Sequence, residues 1–239
     1  VCENGMRTSY MWEEILTKPN LSKLLGKFAQ VIVEEKKWKK IRNLIFPRYH
    51  QFNVVNKLLE DSRKNWVWQK YLIQHSAGSW KSNSISWLSH QLSWLFMEDW
   101  VTNVFDSILI ITDRRVLDKQ LRDTVSWFDH SKGLVEAITD WGKQLKSALE
   151  AGKRIIITTI QKFPVIVDTI WELSWKRFAI IIDEAHSSTG WETISKMNAT
   201  MQVVDEEKTD EDIVLETLQS RKMLTNASYF AFTATPKNK

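Results

Sequence analysis

Apolar residues in this chain fall into short continuous runs separated by stretches with helical spacing. The runs are residues 71–73, 108–111, 134–138, 155–157, 178–182 and 229–232. They are rich in β-branched and aromatic residues and too short for helices, so each predicts a strand. Between them the periodicity predicts a helix over 81–97, one carrying Val116, Leu117 and Leu121, and one over 144–149. Continuous apolar strands alternating with amphipathic helices predict an α/β fold, a doubly wound parallel sheet covered on both faces. Ligands in such folds bind beyond the carboxyl ends of the strands. The residues just after each run are therefore where chemistry is expected.

The flanking segments read differently. Residues 1–45 read as helical, with basic residues Lys36, Lys37, Lys39 and Lys40, and are expected to form a connector from an upstream domain. Pro47 suits a first helical position, and Phe52, Val55, Leu58 and Leu59 continue a helix to Arg63. Residues 205–212 are mostly acidic and predict a solvated loop. The length of 239 residues accommodates one large domain with a small extension. No apolar run approaches the ~20 residues of a membrane helix, and no basic-then-apolar leader opens the chain. Cys2 is the single cysteine, which excludes an internal disulfide and favours a reducing, cytoplasmic setting. The net charge of +4 permits nucleic-acid binding without establishing it.

Three strand ends carry candidate chemistry. After the first run come Ala77, Gly78, Ser79, Trp80, Lys81 and Ser82. A phosphate loop needs small residues for backbone approach, a Lys to reach the phosphates and a hydroxyl for Mg²⁺. Gly78, Lys81 and Ser82 supply these; a chance Gly-Ser turn is the competing reading. The run 178–182 stops at Asp183, Glu184, Ala185 and His186. Two acids at a strand end suit Mg²⁺ binding by Asp183 and polarisation of the attacking water by Glu184. His186 is placed to couple the site to a neighbouring lobe. The last run leads into Thr233, Ala234 and Thr235, whose hydroxyls are candidates to bond the acidic pair; an ordinary Thr-rich turn is the alternative. All three segments follow predicted strands in the expected order.

This set resembles the superfamily 2 helicases and translocases of the DEAH-box type, over roughly residues 46–239. The phrases at Gln74–Ser76, Asp183–Ser188 and Phe230–Lys237 are most similar to the restriction (motor) subunit of type I restriction-modification enzymes. The resemblance implies a RecA-like first ATPase lobe over 46–239 and an upstream nuclease domain joined through 1–45. It implies ATP and Mg²⁺ as cofactors, held by Gln51 at the adenine edge, by Ala77 to Ser82, and by Ser82 with Asp183 at the metal. Lys81, Asp183 and Glu184 are the implied catalytic residues, with His186, Thr233 and Thr235 coupling. Thr112, Arg114, Arg115, Thr158, Thr159 and Gln161 are the implied DNA contacts. The partners implied are double-stranded DNA and the methylation and specificity subunits. Another superfamily 2 DNA or RNA helicase, or a non-hydrolysing docking lobe, are the alternatives. The isolated lobe would lack the arginine finger of a second lobe, worth roughly 10³ to 10⁵ in rate in related phosphoryl transfer.

Composition changes one part of this picture. The chain holds 13 Trp and only 7 Gly, although Gly averages about 7% of residues. Trp66, Trp100 and Trp141 follow Asn or Asp where a turn would carry Gly, and Trp80 precedes the phosphate-loop Lys. An indole there blocks the close backbone approach that a phosphate requires, so ATP binding is expected to be severely weakened by Trp80. The pattern is compatible with engineered, natural or mis-encoded tryptophans. Base stacking by Trp66, Trp68, Trp127 and Trp175 fits less well, because they fall away from the nucleic-acid segments.

Overall fold

The computed structural model describes residues 8–36, 39–76, 78–112, 121–126, 134–137, 143–159, 169–183 and 226–233. The chain divides into two compact units, Val1–Lys57 and Leu58–Lys239.

The first unit opens with π-helical turns Met11–Ile15 and Leu24–Phe28 around a short helix α1 (Lys18–Lys23). Thr17 precedes α1 and Pro19 sits within its first turn, where the missing N–H costs nothing. The expected all-helical connector is corrected beyond residue 29. Strands β1 (Gln30–Lys36) and β2 (Lys39–Ile45) form an antiparallel hairpin, with Ile32 opposite Asn43 and Glu34 opposite Ile41. Val31, Ile32 and Val33 in a row favour extended backbone, and this local preference outweighs the charge-rich flanks that suggested a helix. Helix α2 (Tyr49–Asn65) begins two residues after Pro47, which stands outside it. In this unit the Phe28 and Phe52 rings pack 5.0 Å apart.

The second unit is built on a six-stranded parallel sheet in the order β3-β8-β7-β4-β6-β5. Its strands are β3 (Lys70–Gln74), β4 (Ser107–Thr112), β5 (Val135–Ala137), β6 (Ile155–Thr159), β7 (Phe178–Ile182) and β8 (Ala227–Thr233). All six runs picked out from the sequence are strands. Helices α3 (Lys81–Ser93) and α4 (Lys143–Glu150) and helical residues 121–126 lie between them. The expectation of a RecA-like doubly wound α/β sheet therefore holds. Helix α3 ends at Ser93, four residues short of the predicted end, and the chain turns into a Phe96–Asn103 bridge.

Every residue of β4, β7 and β8 is buried, as parallel strands covered on both faces must be. Strand β3 alternates exposed and buried positions because it is the sheet edge. Tyr71 secures that edge. Its ring stacks on Phe230 at 4.7 Å, and its hydroxyl donates to Asp61 Oδ2 at 2.7 Å. Burial holds the Tyr71 phenol well above its ordinary pKa, and the Asp61 carboxylate raises it further. The donor therefore stays protonated.

The sheet interior sets the stability of this unit. Ile181→Ala, fully buried in β7, should cost about 2–5 kcal/mol in denaturant unfolding. Leu72→Ala on the edge strand, 47% exposed, should cost under about 1.5 kcal/mol. Equal losses would contradict the assignment of β3 to the edge.

Candidate functional site

Parallel pairing puts the carboxyl ends of all six strands on one edge. The register makes this specific. Ile73 pairs with Phe232 and Gln74 with Thr233, while Ile182 pairs with Ala231 and Ile111 with Ile182. Asp183 follows Ile182 and donates its backbone N–H to Ile111 O at 2.9 Å. Ile73, Phe232, Asp183 and Thr112 therefore stand in one row, with Thr159 paired to Thr112. Asp183 is 8% exposed and Thr233 2%. Strand β8 separates β3 from β7, so their tips stand about 10 Å apart at normal strand spacing.

The loop after β3 rises from this edge. His75 N donates to Thr233 O at 3.0 Å and Ser79 N donates to Ser76 O at 3.1 Å. Gly78 has φ of 76°, a left-handed conformation that glycine adopts without penalty. Ser79 is buried, and Trp80 has φ of 61° and is 60% exposed. Trp80 is also the N-cap of α3, and no side chain caps that helix start. Such an end presents backbone N–H groups and the positive pole of the helix dipole, the arrangement that favours phosphate. Lys81 and Ser82 form its first turn and are partly exposed.

The donor chemistry fits a magnesium-bound triphosphate. A lysine, a hydroxyl and a buried carboxylate share one sheet edge, and Mg²⁺ is commonly held by one or two carboxylates together with phosphate oxygens. Among the described residues no three His, Cys, Asp or Glu gather into a metal cluster. Trp80 is the misfit, since its bulk stands at the one place where the backbone should be bare.

The remaining predicted residues fall in three groups. Thr112, Thr158 and Thr159 lie at the carboxyl ends of β4 and β6, and Thr112 Oγ1 is buried with no hydrogen-bond partner among the described residues. Ala77, Arg114, Arg115, Gln161, Glu184, His186 and Thr235 lie outside the described residues, as do the Asp205–Asp212 loop and the helix around Val116 and Leu117. Gln51 belongs to the first unit, is 2% exposed, and accepts from Arg48 N at 2.8 Å. Arg48 O in turn accepts from Gln51 N and Phe52 N. This is a capping-box contact at the start of α2, a role the sequence reading missed although a Gln three residues inside a helix start is its signal. A separate cleft lined by Lys146, Glu150, Glu172, Leu173, Trp175 and Lys176 precedes β6 and β7, at the opposite, amino edge of the sheet.

Residues 50–239 match the family model of the SWI2/SNF2 ATPase. The chain belongs to the SWI2/SNF2 ATPase family. The match takes in nearly all of α2 and the whole six-stranded sheet. Among solved structures it is similar to the UvsW helicase from Bacteriophage T4, at 15% identity and a TM-score of 0.47 over 91% of this chain. A nuclease-deletion mutant of the Type ISP restriction-modification enzyme LlaGI, in complex with a DNA substrate mimic, matches at 16% identity and a TM-score of 0.48 over 80% of this chain. The chain spans 61% of the first protein's length and 18% of the second's. No curated relative matches it. No described helix of this SWI2/SNF2 ATPase is long and apolar enough to cross a membrane.

The capping contact of Gln51 has a direct test. Gln51→Ala should lower stability to denaturant by about 1 kcal/mol, whereas Gln51→Glu should retain most of it. Unchanged stability in Gln51→Ala would show that the contact carries no weight.

Proposed function

We propose that this chain is the first ATPase lobe, residues 46–239, of the DNA-translocating motor subunit of a type I restriction enzyme. Residues 1–45 are its connector from an upstream nuclease domain. The observation that carries the reading is the row at the sheet edge: Asp183 just after β7, Thr233 ending β8 and the Lys81-Ser82 loop after β3 leave the carboxyl ends of neighbouring parallel strands. The resemblance in the phrases around Asp183 and Thr233 supplies the restriction-subunit assignment.

In this reading Lys81 neutralises the β and γ phosphates, and loop amides other than that of Ser79, which bonds Ser76 O, cradle them. Ser82 and Asp183 would hold Mg²⁺, which would supply positive charge against the phosphates. Glu184 orients and polarises the attacking water. His186, Thr233 and Thr235 pass the state of the site to a second lobe. Thr112, Arg114, Arg115, Thr158, Thr159 and Gln161 grip the DNA backbone, contacts that position without reading sequence. Target choice then belongs to the methylation and specificity subunits, and the setting is the cytoplasm.

A second reading has its own observation. The left-handed, 60% exposed Trp80 favours a non-hydrolysing docking lobe.

In a chain carrying Trp80→Gly, Lys81→Ala should weaken ATP binding at least tenfold. Glu184→Gln should retain binding and lose hydrolysis by about 10² or more. Duplex DNA should stimulate the ATPase of the motor, and single-stranded or duplex RNA should not. Stimulation by RNA alone would assign the lobe to an RNA helicase instead. ATP binding unaffected by Lys81→Ala would contradict the site.

A further inference from the structure

Among the described residues, six have backbone φ between 57° and 77°. Two are glycines, Gly78 and Gly152, and the other four are all tryptophans: Trp66, Trp68, Trp80 and Trp100. Left-handed backbone is rare outside glycine, and where it occurs Asn and Asp are favoured while bulky residues are outliers. No Asn or Asp of the described chain adopts it.

Each of the four sites is one where local geometry asks for glycine. Trp66 directly follows α2 and donates its N–H to Ser62 O at 3.0 Å, the left-handed helix end that glycine usually occupies. Trp68 stands in the two-residue approach to β3. Trp80 opens α3 beside Gly78. Trp100 ends a turn in which its N–H meets Met97 O at 3.1 Å, just after Asp99, which accepts from Val101 N and Thr102 N. None is sheltered: the four residues are 55%, 59%, 60% and 72% exposed. Burial therefore does not offset the backbone strain. Arg63 lies over the Trp100 ring at 5.4 Å, and Trp100 is still the most exposed of the four.

Trp87 is the internal control. It lies in the middle of α3 and is 1% exposed, an ordinary buried tryptophan. Among the described tryptophans, Trp87 is packed in the core, whereas these four stand at glycine geometry in solvent. Independent replacements would have drawn on many residue types, whereas a single shared cause yields tryptophan every time.

We infer that positions 66, 68, 80 and 100 are glycine positions. One codon gives tryptophan at all four and is read as glycine in the cell that owns the gene. UGA is a codon whose reading differs between genetic codes in this way, whereas UGG is not. At position 80 the inference meets the phosphate-loop reading and rests on it for its functional consequence: glycine there restores the close approach of backbone to phosphate. The other three positions do not depend on that reading.

The gene should show one and the same non-UGG codon at Trp66, Trp68, Trp80 and Trp100, and UGG at Trp87; UGG at the four would overturn the decoding. In the purified 239-residue chain, Trp66→Gly, Trp68→Gly and Trp100→Gly together should raise the melting temperature by at least about 5 °C. Trp87→Gly should lower it. An unchanged or lower value for the triple variant overturns the glycine assignment. Trp80→Gly should tighten binding of an ATP analogue at least tenfold. A raised melting temperature without that gain leaves the glycine assignment standing and removes the phosphate-loop reading instead.

Discussion

Parallel pairing is the constraint on which the rest of this structure depends. Because β3, β8 and β7 run the same way, everything that leaves their carboxyl ends arrives on one side of the sheet. A lysine-bearing loop and an acidic strand end that are 102 residues apart in sequence thereby become neighbours across a single intervening strand. The fully buried strands hold this spacing, since a slip of one residue would move core side chains to the wrong face. The edge position of β3 leaves its loop room to wrap a ligand, while the interior position of β7 keeps Asp183 nearly dry. A carboxylate with little water around it interacts more strongly with a cation than one in bulk solvent.

Much of this was legible in the sequence because the signals were local and redundant. Residues 108–111, 155–157 and 178–182 are unbroken apolar runs, and their shortness and isoleucine content favour a strand buried on both faces. The acids after Ile182 and the Thr after Phe232 then fall at strand ends by simple counting. The hairpin over β1 and β2 was missed because its two strands carry Glu34, Glu35, Lys40 and Arg42 among the β-branched residues, which reads equally well as an amphipathic helix. The pairing that decides between them lies in the partner strand and not in either segment. The capping contact of Gln51 has a local signal too, a Gln three residues inside a helix start, on a residue to which the family resemblance also assigns the adenine edge.

The tryptophans show how backbone geometry adds to composition. An excess of Trp over Gly in the sequence points to something unusual but does not say which tryptophans are affected. The left-handed φ values sort them. Trp68, which composition did not single out, joins Trp66, Trp80 and Trp100, while Trp87 is set apart by burial. Trp12, Trp94, Trp171 and Trp175 are exposed as well, yet their backbone is one that any residue adopts.

The central claim is that Asp183 and the Lys81 loop address one magnesium-bound triphosphate. The direct measurement is the affinity of Trp80→Gly chain for ATP with and without Mg²⁺, compared with the same chain carrying Asp183→Asn. The account requires Mg²⁺ to tighten ATP binding in the first and to lose that enhancement in the second, with metal-free affinity little changed. An enhancement that survives Asp183→Asn intact would contradict it.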